Sequence, residues 1–190
     1  MGKLYCIMGK SSSGKDTVFQ KIVNDNEINI KGMTIYTTRP KRVGERGNYH
    51  FITAGELNKF EEEGVVIEKR EYTTVEGLWQ YATIDEGLDL KDRDYIVITT
   101  PDAVKKYIKY FGDERIVVLY LDIDDKTRLL RSIERESQQN IPNYRELARR
   151  FLADSEDFEN ISGIRDLKIF HGESSAECFK KIKEFLLRRF

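Results

Sequence analysis

Gly9-Lys10-Ser11-Ser12-Ser13-Gly14-Lys15 combines two glycines, small hydroxyl residues and a lysine in the GxxxxGK spacing of a phosphate-binding loop. A turn of small residues entering a helix lets successive backbone N–H groups converge on phosphate oxygens, and the helix N-terminus adds about half a positive charge. Lys15 supplies a full mobile charge, so ATP is the first ligand this spacing implies. The next residue is Asp16, where Ser or Thr is usual, with Thr17 one step later. A carboxylate is a hard oxygen ligand, so Asp16 is a candidate to hold Mg²⁺ directly or through water. Its other role is to complement the positive end of the helix.

These residues need a strand before the loop and a helix after it. The apolar run 4–8 and the helical spacing from 15 to 23 supply both. Further apolar runs at 33–36, 65–67, 95–99, 116–121 and 167–170 read as strands, several too continuous for a sheet wetted on one face. Helical spacing recurs at 54–63, 102–110, 126–136, 145–158 and 176–188. The alternation predicts an α/β fold with a mostly parallel sheet flanked by helices. Pro101 suits a first helical position and Asp125 an N-cap. Segment 39–86, rich in Arg, Glu, Tyr and Gly, reads as a small inserted lobe, and the polar stretch within 131–150 interrupts two Arg-bearing helices as a lid would.

At 190 residues the chain is expected to form one domain. Its 32 basic and 33 acidic residues nearly cancel, which is not the profile of a nucleic-acid binder. The local cluster Arg39, Lys41, Arg42 and Arg46 can still build a positive pocket for a small phosphorylated ligand. Two histidines and two distant cysteines offer no zinc pattern. Cys6 and Cys178 read as reduced thiols, and 4–8 is too short for a signal peptide or a membrane span. A soluble cytoplasmic protein is the expectation, without nucleic-acid or membrane partners, as monomer or homodimer.

The segment 37–45, TTRPKRVGE, followed by GNYHF at 47–51, resembles the acceptor-binding motif of guanylate kinases. That resemblance implies a P-loop kinase fold with an inserted acceptor-binding lobe and a helical lid, and transfer of the γ-phosphoryl group of Mg-ATP to GMP or dGMP. It divides the chain into a core (1–36, 87–124 and 160–190), an acceptor-binding lobe (37–86) and a lid (125–159). It assigns Arg39, Arg42, Tyr49 and Tyr81 to the acceptor's phosphate, guanidinium forks being matched to phosphate oxygens, and Glu45 to the acceptor-binding residues. Glu68 and Thr83 fall to guanine, whose adjacent N–H donors suit a carboxylate and are lacking in adenine. His171 falls on the adenine side of the donor. Arg131, Arg135 and Arg150 resemble the lid arginines that gather around the transferring group, with Arg149 competing with Arg150 for one place.

The likeness has gaps. Ile35 falls where the family has a serine, and Ile98 and Thr100 fall where it has aspartates, leaving Thr100 as the acceptor-side residue there. Losing one partner of a buried donor costs about 1–3 kcal/mol, enough to weaken guanine discrimination. Two rival readings follow. A kinase of the same fold could act on another phosphorylated acceptor such as ribose 1,5-bisphosphate, or a guanylate-kinase-like module could bind phosphopeptides without catalysis.

Overall fold

The computed structural model describes residues 2–41 and 48–188. Arg42, Glu45 and Arg46 therefore lie outside the described residues. A five-stranded, wholly parallel sheet forms the centre. Its order is β2 (Ile30–Gly32), β7 (Asp94–Ile98), β1 (Leu4–Met8), β8 (Ile116–Asp122) and β9 (Leu167–His171). β1 lies in the middle and is buried throughout, so it carries apolar residues on both faces. Tyr5 and Ile7 pack with Val18, Phe19 and Ile22 of helix α1 (Lys15–Val23) and with Ile182 and Leu186 of α6 (Ser175–Leu187). Leu4, Cys6 and Met8 face Ala103, Val104 and Tyr107 of α3 (Pro101–Phe111). This two-residue alternation seats helices on both faces, and each fully buried large apolar side chain contributes about 1.5–3 kcal/mol.

A second, four-stranded sheet stands beside the first, in the order β4 (Tyr49–Phe51), β3 (Ile35–Thr37), β6 (Gly77–Ile84) and β5 (Val66–Thr74). β5 and β6 form a long antiparallel ribbon, and α2 (Ala54–Glu62) packs Leu57 against Tyr36, Ala82 and Ile84. The strand expected at 33–36 forms as Ile35–Thr37 and opens the second sheet. Ile30–Gly32, just before it, is an additional strand that joins the central sheet, and Asn48 ties the step through its side-chain amide to the Met33 carbonyl at 2.8 Å. The 65–67 strand continues to Thr74, and β4 and β6 are additional strands.

Helices α4 (Asp125–Ser137) and α5 (Tyr144–Asp157) form a hairpin over the first loop. The N-cap of α4 is Asp124 rather than Asp125, because the Asp124 carboxylate accepts the Thr127 N–H at 2.9 Å. Pro101 does occupy the first turn of α3. Cys6 and Cys178 are both buried free thiols. No helix among the described residues is long and apolar enough to cross a membrane.

Candidate active site

β1 ends at Met8, and the chain turns through the glycine-rich loop into α1, whose N-cap Gly14 has φ 90°. A left-handed residue there is costly for anything but glycine. Gly9 is constrained by space instead, since a Cβ would lie 2.4 Å from Ser13 Oγ and 3.2 Å from the Leu121 carbonyl oxygen. Ser12 is held at φ 61°. Its hydroxyl accepts from Ser132 Oγ at 2.7 Å, and its carbonyl accepts from Arg131 at 3.4 Å. Burial lowers the Lys15 pKa, with partial compensation from Asp16 and Asp154 and further lowering from Arg135 and Arg128. Asp16 sits in the first turn of α1, Thr17 is exposed beside it, and Lys10 reaches Asp125 at 3.9 Å.

Arg128 and Asp154 clamp the loop from outside, a feature the lid arginines did not anticipate. Arg128 Nη1 donates to the Ser11 carbonyl and to Asp154 Oδ2, both at 3.1 Å, and Nη2 donates to Asp125 at 2.6 Å. Asp154 Oδ2 also accepts the Ser11 N–H at 2.7 Å, so Ser11 is gripped at both its N–H and its carbonyl. The Arg128 guanidinium lies 4.8 Å from the Phe151 ring centre. Arg128, Arg131, Ser132 and Arg135 fall at i, i+3, i+4 and i+7, one stripe of α4, and that spacing was the available signal. Arg131 also donates to the Glu173 carbonyl at 2.7 Å.

On α5, Arg149 makes a two-pronged pair with Glu146 at 2.8 and 2.7 Å, and Arg150 lies between Glu136 at 3.7 Å and Glu146 at 3.5 Å. Burial pushes the Glu146 carboxyl up, but Arg149 and Arg150 outweigh it and leave the pKa lowered. Both arginines line the cavity beside the phosphate loop, so the structure does not separate them by position.

That cavity, about 190 Å³, is bounded by Gly9, Ser11 and Lys15 on one side and by Tyr49, Arg70 and Tyr81 on the other. Arg39 is buried at the second sheet's edge, its guanidinium 4.9 Å from the Tyr49 ring centre and 5.3 Å from that of Phe51, while it donates to the Pro40 carbonyl at 2.9 Å. Cross-strand register stacks three pairs on one face of the ribbon: Glu68 with Thr83, Arg70 with Tyr81, and Tyr72 with Trp79. Arg70, Tyr72, Trp79 and Tyr81 line the cavity with Ile35, Ile98 and Thr100, whereas Glu68 and Thr83 are buried behind them. Arg70 was missed in the sequence, although a strand's period of two places it on the face of Glu68. His171 lies at another cavity with Asp124 and Glu173, its Nδ1 2.9 Å from Asp122. Among the described residues no three His, Cys, Asp or Glu side chains gather to hold a metal.

No family model matches the chain. Over 167 residues, 84% of this chain and 74% of the relative, it is 26% identical to a guanylate kinase of Malacoplasma penetrans. A guanylate kinase of Pseudomonas fluorescens is 38% identical over 96 residues, 47% of this chain and 46% of that protein. The crystal structure of guanylate kinase from Anaplasma phagocytophilum superposes with a TM-score of 0.70 at 19% identity, covering 99% of this chain and 86% of that one. The last likeness establishes the shared fold.

Proposed function

Because this chain belongs to the guanylate kinase family, we propose that it moves the γ-phosphoryl group of ATP onto the phosphate of GMP, giving ADP and GDP. The observation that carries the reading is the shared cavity: one space is walled by the phosphate loop, the second sheet and the arginines of α5. Donor and acceptor thus have adjoining seats, which phosphoryl transfer needs more than it needs covalent participation from the protein.

In this reading Lys15 and the amides of residues 9–17 hold the donor's phosphates. Arg39 and Tyr49, together with Arg42, orient the acceptor's phosphate, and Glu45 is a further acceptor-side residue. An oxygen of that phosphate attacks the γ-phosphorus, the bond to the β,γ-bridging oxygen breaks, and ADP leaves with the electron pair. No general base is required, since a phosphate monoester is largely dianionic at neutral pH, its second pKa being about 6. Arg131, Arg135, Arg149 and Arg150 gather positive charge around the transferring group and exclude water. Asp16, one hard oxygen donor beside Lys15, fits a magnesium ion that takes its other ligands from nucleotide oxygens and water. Bound there, the ion would neutralise charge on the β and γ oxygens. The likeness to guanylate kinases supports GMP over ribose 1,5-bisphosphate, and the intact loop with Lys15 supports catalysis over phosphopeptide binding.

The test is coupled ADP release with Mg-ATP against GMP, dGMP, AMP, UMP, CMP and ribose 1,5-bisphosphate, with Lys15→Ala as control. Turnover of GMP that is lost in the control is expected. Turnover confined to another acceptor would overturn the assignment.

A further inference from the structure

The group read as the guanine contact does not face the cavity; a guanidinium does. Glu68 is buried among hydrogen-bonding side chains. Arg70 Nε reaches Oε2 at 3.1 Å and Arg70 Nη2 reaches Oε1 at 3.1 Å, while the Thr83 and Tyr107 hydroxyls approach Oε1 at 3.1 and 3.3 Å. Thr83 and Tyr107 are also 2.6 Å apart, so one hydroxyl donates to the other and a single hydroxyl proton is left for Oε1. Arg70 Nη1 points to the Thr100 hydroxyl at 3.5 Å, and the guanidinium carbon lies 5.9 Å from the Tyr81 ring centre.

We propose that Arg70 is a specificity-determining residue that occupies Glu68 as a stand-in for the base, so that only a ligand with a matching pair of parallel N–H donors can take its place. The inference rests on GMP being the acceptor. The exchange matches donor for donor, although the guanidinium is charged and the base is neutral. Arginine offers Nε–H and Nη–H on a planar N–C–N unit, and guanine offers N1–H and N2–H on a unit of the same shape. Adenine lacks that pair. The Thr83–Tyr107 hydroxyl pair closes one carboxylate oxygen from behind and can stay in place during the exchange. A base without the donor pair would leave Glu68 a buried, poorly compensated charge, which makes the exchange selective.

The displaced guanidinium has somewhere to go. Arg70 also lines a second cavity, whose wall includes Tyr72, Thr100, Asp102 and Asp157. Asp102 is already paired with Lys105 at 2.9 Å. Burial and the nearby carboxylates of Asp154, Asp102 and Glu156 raise the Asp157 pKa, partly opposed by Arg149, so an arriving guanidinium would find a carboxylate short of positive charge. Arg70 thereby has two anionic partners, Glu68 in the structure described and Asp157 after exchange.

The experiment is calorimetric titration of the full chain with GMP, AMP and ATP for wild type, Arg70→Ala, Asp157→Asn and the double variant. If Glu68 is free of Arg70 less than about one-tenth of the time, the apparent affinity is reduced by that fraction. Arg70→Ala is then expected to tighten GMP about tenfold or more, leave AMP no tighter, and leave ATP affinity as in wild type. Asp157→Asn should weaken GMP in the wild-type background and not in the Arg70→Ala background. Unchanged or weaker GMP binding in Arg70→Ala overturns the proposal, as does equal tightening of GMP and AMP. Arg70→Gln, which retains amide donors beside Glu68, serves if the alanine variant is poorly folded, and is judged by the same GMP-to-AMP comparison. Failure of wild type to turn over GMP would instead overturn the functional assignment, a separate outcome.

Discussion

Removing the Arg128 guanidinium should cost the protein more than removing any arginine facing the cavity. Arg128 is fully buried and Asp154 is 9% exposed, so their contact is poorly screened. Arg128→Ala deletes donors to the Ser11 carbonyl, Asp154 and Asp125. Asp154 would keep only the Ser11 N–H and, at 3.2 Å, the Ser11 hydroxyl. Breaking a buried pair from one side costs about 3–5 kcal/mol, which exceeds the net worth of the contact because a charge is left behind. The unpartnered Arg128 Nε already detracts from the native arrangement, so the lower part of that range is the better expectation. Asp154→Ala should cost less, about 2 kcal/mol, because Arg128 retains Asp125 and the Ser11 carbonyl. Urea denaturation of both single variants and the double variant closes the cycle, with a coupling of about 1–3 kcal/mol expected. Titration with ATP should show weaker binding in each, since the Ser11 backbone loses one of its two anchors. Additive losses, or a loss under about 1 kcal/mol for Arg128→Ala, would refute the claim that these two side chains act together to hold the loop.

The remaining expectations concern the loop and its metal. Gly9→Ala should abolish ATP binding or destabilise the chain by about 1–3 kcal/mol, since the added methyl meets Ser13 Oγ and a backbone oxygen; a normal ATP titration would contradict this. Lys15 has a lowered pKa, and bound phosphate favours its charged form, so ATP affinity should be flat below the free enzyme's lysine pKa and fall as pH rises through it, starting below 10.5. Lys15→Met should remove that alkaline slope, and a slope that persists would assign it to another group. Glu146 is lowered below its ordinary 4.5, so its ion pairs contribute stability above that value that is lost as pH falls through the folded pKa; Glu146→Gln should flatten the acid limb of a thermal-stability profile between those two values. Asp16→Asn should raise the Mg²⁺ concentration needed for half-maximal turnover, and an unchanged requirement would leave Asp16 as a helix-terminus charge alone.

The central sheet was legible because its signals are local. The runs at 4–8, 95–99 and 116–121 are apolar on both faces, as a strand covered on both sides must be, and each coincides with a strand to within a residue. The second sheet was harder. β3 and β4 are three-residue strands whose polar and aromatic composition carries little periodicity, and β6 mixes Gln80 and Thr83 among apolar residues because both hydroxyl and amide groups find partners inside the protein. β2 of the central sheet was missed for another reason: Lys31 is exposed and Gly32 has no side chain, so Ile30 alone marks it as a buried strand.

The site divides along a similar line, and the division has a chemical cause. A phosphate is bound largely by backbone amides, so its seat is written in the glycines and lysine of one contiguous segment. A base is read by side chains brought together from separate segments, and what those side chains present depends on whom they face. Glu68 taken alone is an acceptor for a donor edge, but two residues later the same strand places Arg70 against it, and Tyr107 closes it from α3. The cavity consequently offers a cation where the isolated residue offers an anion. Similar chemistry governs the lid, where Arg149 and Arg150 already hold Glu146 and must exchange a carboxylate for phosphate oxygens before they can serve the reaction. In both places the folded chain keeps its charges paired, and each ligand binds by replacing an internal partner with a group of matching hydrogen-bonding geometry, so selectivity follows from how closely the ligand reproduces the group it displaces.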